Sequence, residues 1–417
     1  MRTGSAGCFS ITGHRFTCMV SLGLMAIMVS SAQAAEIGSF EFNGYTRGGM
    51  YSSPSGTPRG NYTLGGDMQK YRLGNEGDNG FEVGIGKTFD AGNGANFGVL
   101  YMPAVWGGKQ VTAQAFATMS GLDIAPEAKF WAGQRRLRLK DVHVVDRFML
   151  DYGDNTGAGV TDLNIGFAKL GVGVFTGGTF DNNSSSVNNA SRINVDVSEI
   201  STNSGGKLRV LGTLVRGSFQ MGAQGSGLSL LHEQSDFMAA GINNSLFLQT
   251  SNGHAAITGQ FQGLGDVASG STEQPGVQSI RIADSFDWQR GALGGQALVA
   301  YQTGKVQGGV SDGIKTTDVS VGGRVTYAVS RNFKWLAEVG STSRRVDGQA
   351  QQSLNKFTIA PTLAVGPDFW SRPELRLYVT YATWNAAASA ANAVVGQFGA
   401  GGRTSSTLAG IQMETWW

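Results

Sequence analysis

The sequence predicts an all-β protein, a transmembrane antiparallel β-barrel of about eighteen strands. Three observations carry that expectation. Apolar and polar residues alternate with a period of two along most of the chain, an export signal precedes them, and the final strand is rich in aromatics. Composition agrees: 63 of 417 residues are Gly and 8 are Pro, with 41% hydrophobic, 10% aromatic and only 15% charged. So much Gly excludes an all-α chain, since each interior helical Gly costs about 1 kcal/mol against Ala. The spread of aromatic and apolar residues argues against intrinsic disorder. With 32 Lys+Arg against 30 Asp+Glu, the net charge of +2 leaves no electrostatic footprint for nucleic acid.

Residues 1–34 read as a signal peptide. Arg2 and Arg15 are its basic start, Phe16–Val29 its apolar run, and Ala32-Gln33-Ala34 its small-x-small cleavage pattern, with the cut after Ala34 or Ala35. Cleavage would remove both cysteines, Cys8 and Cys18, leaving neither a disulfide nor a thiolate metal site in the mature chain. Residues 35–417 contain no run of apolar residues long enough for a transmembrane helix. A barrel remains open, because its strands need only about 10 alternating residues each.

The alternation can be followed from end to end. Phe40, Phe42, Gly44 and Thr46 oppose Glu41, Asn43, Tyr45 and Arg47. Phe81, Val83 and Ile85 oppose Glu82, Gly84 and Gly86; Leu375, Leu377, Val379 and Tyr381 oppose Glu374, Arg376, Tyr378 and Thr380. At the end, Ile411, Met413 and Thr415 oppose Gln412, Glu414 and Trp416. The apolar set is expected toward lipid and the polar set toward a wet lumen. Thr179 to Gly206, with its DNNSSSVNNAS run, is expected to be the longest loop. Trp417 and Phe369, at strand ends, suit an interfacial girdle. No linker divides residues 35–417, which read as a single domain. A soluble sandwich accepts the same alternation, but one of this size usually divides.

Chemistry-bearing motifs are few. GIGKT at Gly84–Thr88 lacks the GxxxxGK[ST] spacing of a phosphate loop, because Phe81 stands where the first Gly belongs. It reads as barrel wall. His143, His232 and His254 are far apart, and no GxSxG elbow is present. Neither an enzyme, a cofactor nor a metal site is expected.

Seven strings in order together resemble the maltoporin (sugar porin) family: FEFNGYTRGG at Phe40, KYRLGNE at Lys70, FWAGQR at Phe130, DVHVVD at Asp141, NIGFAKLGVGVF at Asn164, WSRPELRLYVTYATW at Trp370 and the final GIQMETWW. The resemblance implies a trimeric outer-membrane barrel with an inward-folded constriction loop. Such a barrel passes sugars by diffusion along a ladder of aromatic rings flanked by ionic residues. It assigns Tyr45, Trp370 and Trp416 to that slide, and Trp106 as the ring supplied by a neighbouring subunit. Parity independently turns Tyr45 and Trp416 inward with Arg47 and Glu414, and groups Trp370 with Arg372 and Glu374. Arg47, Arg72, Glu82, Asp146 and Asp151 become the polar track, whose mixed donors and acceptors suit hydroxyl arrays.

Departures from the family pattern bear on selectivity. The constriction tyrosine stands as Phe148, an arginine aligns to Leu139 with Arg138 beside it, and the slide tyrosine of the second strand aligns to Gly80. A gap in the slide at Gly80 is expected, one that Gly80→Tyr would fill. The alternatives are a general diffusion or anion-selective pore, and a secreted soluble carbohydrate-binding β-protein.

Overall fold

The computed structural model describes residues 40–53, 62–66, 68–182, 190–219, 221–262, 274–394 and 397–417. The signal expected over residues 1–34 lies outside them. Eighteen antiparallel strands among the described residues form one closed sheet. Five come first, from Phe40–Ser52 to Ala125–Gln134; thirteen follow, from Thr156–Asn164 to Ser405–Trp416. Every strand pairs with its neighbours in sequence, and the first pairs with the last. Backbone bonds from Gly44 N to Trp417 O (3.1 Å) and from Trp417 N to Gly44 O (3.2 Å) complete the seam. The only α-helix among the described residues is the short Ala386–Ala391.

Period-two alternation sets which side chains face out. Phe357, Leu363, Leu377 and Val379 are each about half exposed on the outer wall, while Arg376, Thr380 and Glu414 are fully buried inside. GIGKT lies within the strand Gly80–Asp90, as barrel wall. The outer aromatic contacts of Trp417, at 5.8 Å to Phe42 and 6.3 Å to Phe81, fit its expected outward place. Phe369 does not join them: it is 1% exposed, packed inward against His143 and Trp370. The expected long loop is also shorter than read, because Ala190–Asn203 is a strand. Its own alternation, Arg192, Asn194 and Asp196 inward against Ile193 and Val195 outward, outweighs the polar run before it.

Two segments fold into the barrel. Between the fifth and sixth barrel strands, Arg138–Val142 and Arg147–Asp151 form a separate hairpin, turned by His143–Val145. Its Val144, Met149 and Leu150 pack against the inward Leu211, Leu231, Phe247 and Leu298 as a dry core. Residues 62–66 and 68–76 form the second insert. Tyr62 and Leu73 cluster with Leu336, Leu354, Tyr378 and Trp384, and Leu73 N donates to Glu338 Oε1 (2.8 Å). The two inserts meet where Arg72 N donates to Val144 O (3.0 Å). They fill one side of the barrel and leave a cavity on the other.

Candidate functional site

Register along the seam builds the open side. Tyr45 pairs with both Trp416 and Glu82, and Arg47 pairs with Glu414 and Gly80. Because cross-strand partners share a face, this places rings and charges on adjacent inward rungs. A cavity of about 670 Å³ results, lined by Tyr45, Trp106, Trp370, Trp416 and the hairpin's Phe148, with Arg47, Arg72, Glu82 and Asp146 among them. Nine of the ten residues read from the sequence thus converge on one space.

Asp151 does not. It is buried beside the cavity, where its Oδ1 accepts from Gly153 N (2.7 Å) and burial pushes its carboxyl up. Trp370 arrives by a different route from the one expected. It sits in the turn between the strands Gln352–Ala364 and Glu374–Trp384, where strand parity has no meaning, yet its ring faces the cavity.

Trp106 and Gly80 correct the expectation most. Trp106 ends its strand opposite Gly80, and the turn that follows is Gly107-Gly108. The indole therefore lies inside its own barrel, where the resemblance implied a ring from a neighbouring subunit. It is braced from several directions: 6.0 Å from Tyr45 with planes 20° apart, under the Arg47 guanidinium at 5.1 Å, and donating from Nε1 to Glu82 Oε1 (2.8 Å). A Cβ built on Gly80 would clash with the six-membered ring of Trp106. Gly80 is thus no gap: its missing side chain is the space the indole occupies.

The charged groups interlock. Arg47 meets Glu76 (2.5 Å), Asp78 (2.8 Å) and Asp146 (3.2 Å). Arg72 meets Glu414 (2.6 Å) and Glu76 (3.0 Å), and Tyr45 Oη donates to Glu414 (2.8 Å). Burial works against the Asp146 carboxylate, but Arg72, Lys70 and Arg47 hold its carboxyl well below the usual carboxylate range. His143, at the hairpin's turn, is also held well below its ordinary range, by burial and by Arg72, so it stays neutral. Arg72 Nη1 lies 3.0 Å from its Nδ1 and Arg372 Nη2 3.1 Å from its Nε2. A neutral imidazole offers one acceptor nitrogen, so only one of these arginines can bond it at a time.

A model of the LamB porin family matches residues 40–417. The chain belongs to that family. It is 25% identical over 438 residues to a protein named maltoporin in Vibrio cholerae, covering 94% of this chain and 98% of that one. A maltoporin of Photobacterium profundum is likewise 25% identical, over 97% and 99% of the two chains. Among solved structures, OccAB1 of Acinetobacter baumannii aligns with a TM-score of 0.52 at 10% identity, covering 93% of this chain and 99% of that one. OccK10 of Pseudomonas aeruginosa gives 0.51 at 10%, over 92% and 99%. These last two share the fold. Porin family and barrel together indicate a channel of the bacterial outer membrane.

Two lining residues of this LamB porin, Arg136 and His143, escape sequence reading, and Arg372 backs the cavity from behind Trp416. Arg136 bridges Glu82 (2.7 Å) and Asp154 (3.1 Å), His143 lies 5.3 Å from Trp370 and 5.7 Å from Trp416, and the Arg372 guanidinium stands 4.3 Å over the Trp416 ring. Leu139 packs against the dry core, and the arginine facing the cavity is Arg138.

Proposed function

We propose that this LamB porin passes sugars across the outer membrane by passive, saturable diffusion. The observation that carries the reading is the convergence of Tyr45, Trp106, Trp370, Trp416 and Phe148 on one cavity interleaved with ionic side chains. A sugar ring has apolar C–H faces and a rim of hydroxyls. Aromatic faces bind the former, and charged donors and acceptors bind the latter. Several weak sites in series allow entry and keep release fast. Phe148, carried inward by the hairpin, serves as the constriction ring, and Trp106 supplies from this chain the rung that Gly80 lacks. The name of the relatives, maltoporin, supports sugar as the solute.

The working form is a homotrimer in outer-membrane lipid, delivered by a signal peptide cut after Ala34 or Ala35. The apolar outer wall supports this, because it offers surface to lipid and to neighbouring barrels. Reconstitution into planar bilayers tests the reading. Sugars should block the ion current in a saturable way; steady conductance with no block by any sugar would leave a general diffusion pore.

A further inference from the structure

Arg138 differs from Arg47, Arg72 and Arg136, which line the same cavity, in having no carboxylate within ion-pair distance among the described residues. Arg47, Arg72 and Arg136 each meet two or more carboxylates within ion-pair distance. Among the described residues, none lies within that distance of Arg138, although it is exposed to the cavity. Its guanidinium lies over the Phe148 ring, 4.7 Å from the centroid. Asp151, opposite it in the hairpin, has turned its carboxylate to the Gly153 amide (2.7 Å).

A guanidinium held against an aromatic face keeps its planar edge of N–H donors available. That fork matches a carboxylate, and charge-assisted bonds of this kind are about twice as strong as neutral ones. Hydroxyls are already served by the paired arginines and by Glu82 and Asp146. Arg138 acts on Asp151 and Glu82 only from beyond ion-pair distance, so an anion that reaches its donors directly gains most. We propose that the channel favours sugars bearing a carboxylate, with Arg138 receiving the carboxylate while the sugar ring packs beside Phe148. This rests on the sugar-diffusion reading and names the solute class.

The test compares glucuronate with glucose, which differ only in the C6 carboxylate, by current-noise analysis of the full trimer in planar bilayers. Glucuronate should bind about tenfold more tightly in the wild type. Arg138→Gln should bring the ratio close to one, and Arg138→Lys should restore part of it. A wild-type ratio near one, or a preference retained in Arg138→Gln, overturns the proposal. So does block by acetate as strong as block by glucuronate, which would make Arg138 a filter for free anions. If glucose blocks without any glucuronate preference, the proposal alone fails. If neither sugar blocks, the diffusion reading falls and takes the proposal with it.

Discussion

Two sides of the same lumen are built from strands of the same period, yet one is dry and the other is open. Along Gly206–Gly217, Gly225–Gln234, Ile242–Asn252 and Leu293–Gln307, the inward side chains Leu211, Leu231, Phe247 and Leu298 are sealed under the hairpin. Along Phe40–Ser52, Gly80–Asp90 and Ser405–Trp416, the inward set is Tyr45, Arg47, Glu82, Glu414 and Trp416, around a cavity. Alternation decides only that a side chain points inward. Whether it then meets protein or solute depends on where the inserted segments lie. Under the second insert, which is likewise sealed, charge is held by burial and pairing: Glu338 accepts from Arg324 (2.6 Å), Lys356 (2.9 Å) and the Leu73 amide (2.8 Å).

The largest effect expected from this contrast is on stability. Glu338→Ala would strand Arg324 and Lys356 in a dry site, at a cost of about 3–5 kcal/mol. Asp146→Ala, whose side chain is 31% exposed to the cavity, should cost only about 1 kcal/mol. Urea unfolding in lipid vesicles measures both; equal losses would erase the distinction between the two sides. Next comes Gly80→Tyr. With no room beneath the indole, the new ring displaces Trp106 and breaks its bond to Glu82. Oligosaccharide block should therefore weaken by about tenfold, and any tightening would show that Trp106 is not a rung.

Trp416→Ala should weaken sugar block by about two- to tenfold while ion conductance stays similar or rises, since the ring carries no charge. Unchanged affinity in a correctly assembled channel would limit the solute path to the rings nearer Trp106. The smallest effect belongs to Phe148→Tyr, which returns one hydroxyl to the hairpin's ring. Neutral sugars should bind at most about twofold more tightly, one neutral hydrogen bond at the low end of its range. A larger gain would mean that the hairpin, more than the wall, sets affinity.

The fold was legible because its signal is local. Leu375, Leu377, Val379 and Tyr381 declare one face within seven residues, and about eighteen such segments imply closure. Tyr45, Arg47, Glu82 and Trp416 were legible for the same reason. What escaped depends on partners far apart in the chain. Gly80 reads as a missing rung until the register sets Trp106 opposite it. The Gly107-Gly108 dipeptide was the available sign of the tight hairpin that keeps Trp106 in its own barrel. His143 and Arg136 come to the cavity through the inserted hairpin and its approach, whose path no period reveals. Phe369 was misread because a turn has no inward or outward face to count from.

The seam between the first and last strands has a consequence for biogenesis. Tyr45 and Glu414, bonded across it, lie 369 residues apart in sequence. Joining such distant segments carries the greatest loop-closure entropy of any contact in the sheet, so local hairpins between successive strands have the kinetic advantage over this pairing. Tyr45, Arg47, Glu414 and Trp416 of the candidate site sit on that same join. An incompletely zipped molecule would already possess most of its wall, its hairpins and its hydrophobic exterior, but no solute pathway. Sugar block is therefore also a reporter of finished assembly, silent until the two ends of the chain have met.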